Sequence, residues 1–190
     1  MIKIKISILF LMLGICSCNP KKENSKLELA KNYYKILDQS QVSEIETLLT
    51  DSLMTIETEY DYKQTFSKNE YVEWMKWDSV FEPTYKILEI VEENDVVKAK
   101  ISKTDKRISF LHHEPIVTNQ VIRFNNDKII SIETTKYVIF NDSIFVSNRE
   151  KLLDWIAKNH PELDGFVYDQ TKTGGLKYLN AIELFNNKSH

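Results

Sequence analysis

The stretch from Pro115 to Val138 constrains this chain most. Two runs rich in β-branched residues, PIVTNQVIRF and IISIETTKYV, flank Asn125-Asn126-Asp127-Lys128. Such side chains favour a pleated, half-buried surface, and an Asn-Asp pair between them suits a tight hairpin turn. With Asn126 and Asp127 as the turn residues, period-two alternation sets Phe124 opposite Ile129, Ile122 opposite Ser131, Gln120 opposite Glu133, Thr118 opposite Thr135 and Ile116 opposite Tyr137 on one face. The other face carries Val121 beside Ile132, Arg123 beside Ile130, Asn119 beside Thr134 and Val117 beside Lys136. The first face has apolar ends, a polar middle and no lysine or arginine, which is the composition of a pocket wall.

The beginning of the chain reads as an address. Lys3 and Lys5 precede an apolar run from Ile6 to Leu13, and Ile15-Cys16-Ser17-Cys18 supplies a small-residue cleavage region. The apolar run is too short to span a bilayer as a stable helix. The pattern resembles a bacterial lipoprotein signal, in which the cysteine after a small residue is diacylated and becomes the new N-terminus. Ser17 makes Cys18 the expected lipidation site over Cys16, which follows bulky Ile15. Residues 1–17 are then a signal peptide and 18–25 a tether. The resemblance implies an exported protein of the cell envelope, and Asn19 in place of Asp resembles lipoproteins sent to the outer membrane.

Both cysteines lie in that region, so the remainder has no disulfide framework, no thiol nucleophile and no cysteine-based metal site. An exported domain without disulfides depends on its hydrophobic core, and roughly 170 mature residues suffice for one. Losing Lys3 and Lys5 takes the formal charge from −3 to −5, and mild acidity argues against nucleic acid as a partner.

Along the mature chain, Leu27, Ala30, Tyr34 and Leu37 recur at helical spacing behind a capping Ser25. A second helix is expected with Val42, Ile45, Leu48 and Leu49 on one side. Ser52 to Tyr60 reads as a strand running into a Tyr60-Asp61-Tyr62 loop. Ser67-Lys68-Asn69-Glu70 is a capping box that opens a third helix through about Trp77. Tyr71, Trp74 and Trp77 stand three apart on it and face a common surface, either as core or as a ligand-stacking stripe. Strands are expected over Tyr85–Glu92 and Val96–Thr104, joined by Glu93-Asn94-Asp95, and a short one over Arg107–His112. Beyond the hairpin, Ser147-Asn148-Arg149-Glu150 reads as a second capping box for a helix that Pro161 stops near Asn159. Gly165 to Tyr168 reads as an extended link, and Thr173-Gly174-Gly175 leads into a last helix. Helices first and antiparallel strands after make an α+β pattern.

Capped N-terminal helices, the Phe66-Ser67-Lys68-Asn69-Glu70-Tyr71 entry into the third helix and the Arg123-Phe124-Asn125-Asn126-Asp127-Lys128-Ile129 hairpin resemble the nuclear transport factor two-like, or SnoaL-like, family. The resemblance implies N-terminal helices packed on a curved antiparallel sheet, a cone with a pocket at its open end, over residues 26–140. Family hairpins often carry glycine where this chain has Asp127. Residues 141–190 lie outside the basic fold and read as a C-terminal helical extension against the cone or across its mouth. The family includes isomerases, dehydratases, cyclases and non-catalytic binding or dimerising domains, so function must be argued from the site.

Candidate pocket residues are Glu133, Gln120, His112, Tyr137, Trp74 and Tyr71. A carboxylate at Glu133, oriented by Gln120, would suit proton transfer, whereas the plain alternative is an exposed cross-strand polar pair. In His112-His113-Glu114 the adjacent histidines of a strand point to opposite faces, so they form no metal site there, and no other ligand spacing completes one. His112 shares a face with Phe110 and is either a pocket acid/base or an ordinary strand-end histidine. Lys172-Thr173-Gly174-Gly175 offers backbone N–H groups to an anion or is simply a helix entry. No G-x-S-x-G nucleophile is present. The expectation is a membrane-anchored, non-catalytic protein binding a small apolar molecule or a partner protein, with no cofactor, as a monomer or homodimer. The alternative is an isomerase-, dehydratase- or hydrolase-like enzyme using Glu133 or His112.

Overall fold

In the computed structural model, which describes residues 25–188, the chain runs α1 (Lys26–Asp38), α2 (Val42–Ile45), β1 (Leu49–Glu57), β2 (Tyr62–Ser67), α3 (Lys68–Ser79), β3 (Thr84–Glu93), β4 (Val96–Thr104), α4 (Lys106–Leu111), β5 (Ile116–Asn125), β6 (Lys128–Ile139), α5 (Asp142–Asn159) and α6 (Lys172–Asn186). The signal peptide, Cys18 and the tether up to Asn24 lie outside the described residues. The six strands form one sheet in the order β2-β1-β6-β5-β4-β3. All neighbours are antiparallel except β1 and β6, which pair in parallel, a correction to the wholly antiparallel sheet expected.

Local chemistry explains most boundaries. Ser25 caps α1, accepting a hydrogen bond from the Glu28 N–H, and Leu29, Ala30, Tyr33, Ile36 and Leu37 follow as its buried stripe. The Ser67–Glu70 capping box is present in full at the start of α3. The β3–β4 turn places Asn94 and Asp95 at φ 49° and 69°, the two left-handed positions that Asn and Asp accept and that match the strand twist. In the β5–β6 turn the left-handed residue is Asn126 at φ 52°, so the glycine common in the family is not needed at Asp127.

Several expected elements differ. Arg107–His112 is not a strand: Asp105 accepts from the Ile108 N–H at 2.5 Å and starts α4, with Ile108 and Leu111 buried one turn apart. Helix α2 has a single turn, because Leu49 already belongs to β1. The supposed loop after Tyr60 is a 3-10 turn over Thr58–Tyr60 followed by β2. Helix α5 starts at an Asn141 cap, which accepts from the Ile144 N–H, and runs through Ser147, so Ser147 is no cap. Gly165 takes φ 80° and leads a 3-10 turn over Phe166–Tyr168, not an extended link.

Two cores share α3. The larger lies between the sheet and α1 and α3, around Tyr34, Ile36, Leu49, Leu53, Ile101, Ile122 and Ile129. The second joins Trp77 and Phe81 to Leu111, Leu152, Ile156, Phe166, Tyr178 and Ile182. The three-apart aromatics of α3 thus split: Tyr71 belongs to the first core, Trp77 to the second, and Trp74 packs against both.

Candidate functional site

The inner face of the β5–β6 hairpin depends on three register shifts. Phe124 faces Ile129 as the alternation predicts, but Arg123 faces Ser131, which leaves Ile130 as an extra residue on β6. Gln120 therefore faces Thr134, and Glu133 faces Val121. A further shift brings Tyr137 opposite Thr118, and the next sets Ile139 opposite Val117. Each shift inserts a residue on β6 and bends the strand, which is how a flat hairpin becomes a curved wall. A one-residue slip exchanges faces. Ile132, Thr134 and Tyr137 consequently line the cavity with Ile116, Thr118 and Gln120, in place of the Ser131, Glu133 and Thr135 that uninterrupted alternation puts there.

This cavity measures about 370 Å³ and opens between the sheet, α1, α3 and α4. Tyr33, Tyr34, Phe66, Tyr71, Trp74 and Tyr85 supply an aromatic wall. Tyr71 and Trp74 stack with ring centres 5.1 Å apart, and Phe66 meets Tyr71 edge-on at 5.7 Å. Gln170, from the segment before α6, reaches the lining as well.

Most polar groups of the wall are bonded to one another. The Tyr33 and Tyr71 hydroxyls are 2.5 Å apart. Tyr34 donates to Gln120 Oε1 at 2.7 Å, and Gln120 Nε2 donates to Thr118 Oγ1 at 3.1 Å. Tyr137 donates to Glu57 Oε2 at 3.0 Å. Behind Tyr85, whose hydroxyl donates to Asp78 Oδ2 at 2.9 Å, lies a buried charge cluster. Lys103 Nζ is 2.5 Å from Asp78 Oδ1 and 3.7 Å from Asp105 Oδ2, and sits over the Tyr85 ring at 4.9 Å. Burial pushes the Tyr33, Tyr34 and Tyr85 hydroxyls well above the ordinary phenol value, with the charge of Asp78 adding to the rise at Tyr85. Tyr71 and Tyr137 are raised for the same first reason.

Of the residues singled out in the sequence, Gln120, Tyr137, Trp74 and Tyr71 meet in this cavity. Glu133 does not line it: its carboxylate accepts from Arg123 Nη1 at 2.8 Å and from Thr58 Oγ1 at 3.0 Å, away from Gln120. His112 does not line it either. It caps the C-terminal end of α4 and is buried, accepting the Asn141 N–H at Nε2 (2.7 Å) while Nδ1 donates to the Glu114 carbonyl (2.8 Å). Both ring nitrogens are engaged, so His112 ties α4 to the start of α5 and presents no free nitrogen to a ligand or a metal. In the Lys172–Gly175 segment the Gly174 N–H is taken by Thr171 Oγ1, so this is the capped start of α6.

The charged lining residues Glu57, Lys103 and Arg107 were missed, as were Tyr33, Tyr34 and Tyr85. Periodicity placed Tyr34 on the apolar stripe of α1, though not as a pocket residue, and could have placed Tyr33 beside it. Nothing in the sequence near Glu57, Lys103 or Arg107 signals that they converge.

No protein-family model and no curated protein matches the sequence. Solved structures do resemble it. A candidate ketosteroid isomerase from Kribbella flavida aligns at 10% identity over 62% of this chain and 80% of its own, with TM-score 0.51. SalBIII, an epoxide hydrolase/cyclase-like enzyme in pyran-ring formation in salinomycin, aligns at 14% identity over 62% and 94%, with TM-score 0.51. IdmH, a candidate polyketide cyclase from Streptomyces antibioticus, aligns at 9% identity over 67% and 99%, with TM-score 0.51. These likenesses show the fold, the α+β cone of nuclear transport factor two-like and SnoaL-like proteins.

Proposed function

We propose that this protein is an envelope lipoprotein, anchored through acylated Cys18, whose cone binds a small apolar molecule without transforming it. The observation that carries the reading is the wall itself. Eight aromatic side chains of the described residues surround about 370 Å³, and the Tyr33–Tyr71, Tyr34–Gln120–Thr118 and Tyr137–Glu57 pairs engage most of the neutral polar groups among them. Paired polar groups and aromatic faces favour retention of an apolar body over attack on it. The anchor rests on the Ser17-Cys18-Asn19 pattern behind a charged and apolar start.

Mass spectrometry of protein extracted from native membranes tests both parts. Expected are a diacylated Cys18 at the N-terminus and a co-purifying small molecule, with Cys18→Ala releasing the protein from the membrane. Thr134→Trp, which fills the cavity, should abolish retention of the molecule, whereas Glu133→Gln on the other face should not. An unmodified Cys18, or an extract with no bound molecule, counts against the corresponding part.

A second reading, acid–base catalysis, draws on Glu57, a carboxylate in the cavity with the Tyr137 hydroxyl bonded to it. It requires the molecule recovered from Glu57→Gln protein to differ chemically from that recovered from the parent. The same molecule in both removes it.

A further inference from the structure

Resting on the reading of the cavity as a ligand site, one lining side chain says more about the ligand. Three charged side chains line the cavity, and two of them are engaged: Glu57 by Tyr137 and Lys103 by Asp78. Arg107 is not. Its side chain is 19% exposed, and its Nε is buried with no hydrogen-bond partner among the described residues. The guanidinium's carboxylate neighbour, Asp105 Oδ2, stands 3.9 Å from Nη2, near enough to balance charge and too far to accept a hydrogen bond. That oxygen is itself buried without a partner, because Asp105 uses Oδ1 to cap α4. Arg107 is held instead by aromatic faces, 5.1 Å over the Trp77 ring and 5.7 Å over Phe81.

A guanidinium about four-fifths withdrawn from water, with unspent donors, is costly to maintain, since each group taken from water without a partner loses its hydration. Its planar fork matches one kind of partner above others, a carboxylate received through two parallel N–H···O bonds. We propose that the ligand carries a carboxylate bound by Arg107, with its apolar body against the Tyr71–Trp74 wall. Asp105 Oδ2 stands beyond hydrogen-bond reach of both Lys103 (3.7 Å) and Arg107 (3.9 Å), so the fork of Arg107 stays open to a carboxylate. The cavity then distinguishes a carboxylic acid from a neutral molecule of the same shape.

Isothermal titration of the full, detergent-extracted protein with 2-naphthoate and 2-naphthamide tests this, because the two probes share ring and shape and differ in charge. Naphthoate should bind at least roughly tenfold more tightly, the scale of a charge-assisted hydrogen bond. Arg107→Met should erase that preference and leave naphthamide binding unchanged, while Arg107→Lys, a point charge without the fork, should keep part of it. Should Arg107→Met fail to fold, the parent protein and Arg107→Lys decide the matter. Equal affinity of the parent for both probes, or an undiminished preference in either variant, overturns the carboxylate assignment and leaves the apolar-ligand reading standing. Binding of neither probe overturns the assignment together with that reading.

Discussion

Gly174 sits in the first turn of α6, where replacing glycine by alanine ordinarily favours the helix by up to about 1 kcal/mol. The surroundings reverse that expectation. A Cβ at Gly174 would lie inside van der Waals contact with the Asp169 carbonyl oxygen and with the Asp169 Cβ and Cγ. Asp169 cannot swing away freely, because its Oδ1 accepts both the Thr171 N–H at 3.0 Å and the Thr171 hydroxyl at 2.6 Å. Overpacking costs about 1–3 kcal/mol, and a backbone atom as the obstacle places Gly174→Ala near the upper end. Less the helix gain, the net loss is about 2 kcal/mol, or a fall in Tm of roughly 4–8 °C for a chain of this size. At Gly175 the added carbon meets the Trp77 carbonyl oxygen at 3.0 Å and Val80 Cγ2 at 3.2 Å, a milder conflict worth about 1 kcal/mol. The helix gain about cancels that conflict at Gly175, so urea denaturation should give parent and Gly175→Ala similar midpoints and Gly174→Ala a clearly lower one, with unchanged slope. Gln170 lies within the turn that must shift and lines the cavity, so Gly174→Ala should also weaken ligand retention. A Gly174→Ala protein as stable as the parent would show that helix propensity outweighs the contact and refute the reasoning.

Asp78→Ala leaves Lys103 and the Tyr85 hydroxyl without their buried partner and should cost about 3–5 kcal/mol by urea denaturation, with Asp78→Asn losing less because it can still accept from Tyr85. Ser67→Ala removes the α3 cap and should cost about 1 kcal/mol in the same assay. The Ser67 N–H lowers the Glu70 carboxyl from its ordinary value, so its contribution is complete above the unfolded value, about 4.3, and fades as pH falls through the folded one. The stability difference between parent and Glu70→Gln should shrink correspondingly in acid. Tyr33, Tyr34 and Tyr85 have raised folded values, so the stability they contribute is complete below about pH 10 and is lost as pH rises beyond it. Their phenolate absorbance should emerge together with loss of near-ultraviolet circular dichroism, and emergence in a still-folded protein would count against their burial.

Much of the fold was legible because its signals are local. The Ser25 cap, the Ser67–Glu70 box, the Asn94-Asp95 and Asn126-Asp127 turns and the stop before Pro161 each depend on a few neighbouring residues, and each stands where the sequence puts it. The misreadings arose where local patterns compete. Asp105 is as good a cap as Ser67, but the alternation of Ile108, Phe110 and His112 hides it. Ser147 and Glu150 have capping-box spacing, yet the Asn141 cap starts α5 first.

The pocket's β5 residues, Ile116, Thr118 and Gln120, follow from alternation alone, and Tyr71 and Trp74 from their spacing on α3. Its β6 residues do not, because inserted residues such as Ile130 change which side chains face inward, and nothing in a period-two pattern marks where a strand must bend around a helix. Arg107, Glu57 and Lys103 lie on α4, β1 and β4, and their meeting depends on the curvature of the open sheet. Local chemistry along the chain decided which elements form and how most of them end. Burial and charge pairing between distant residues decided that Glu133 meets Arg123, that His112 has no free nitrogen and that Arg107 stands beside the cavity without a hydrogen bond, since those depend on what the folded chain brings alongside each group.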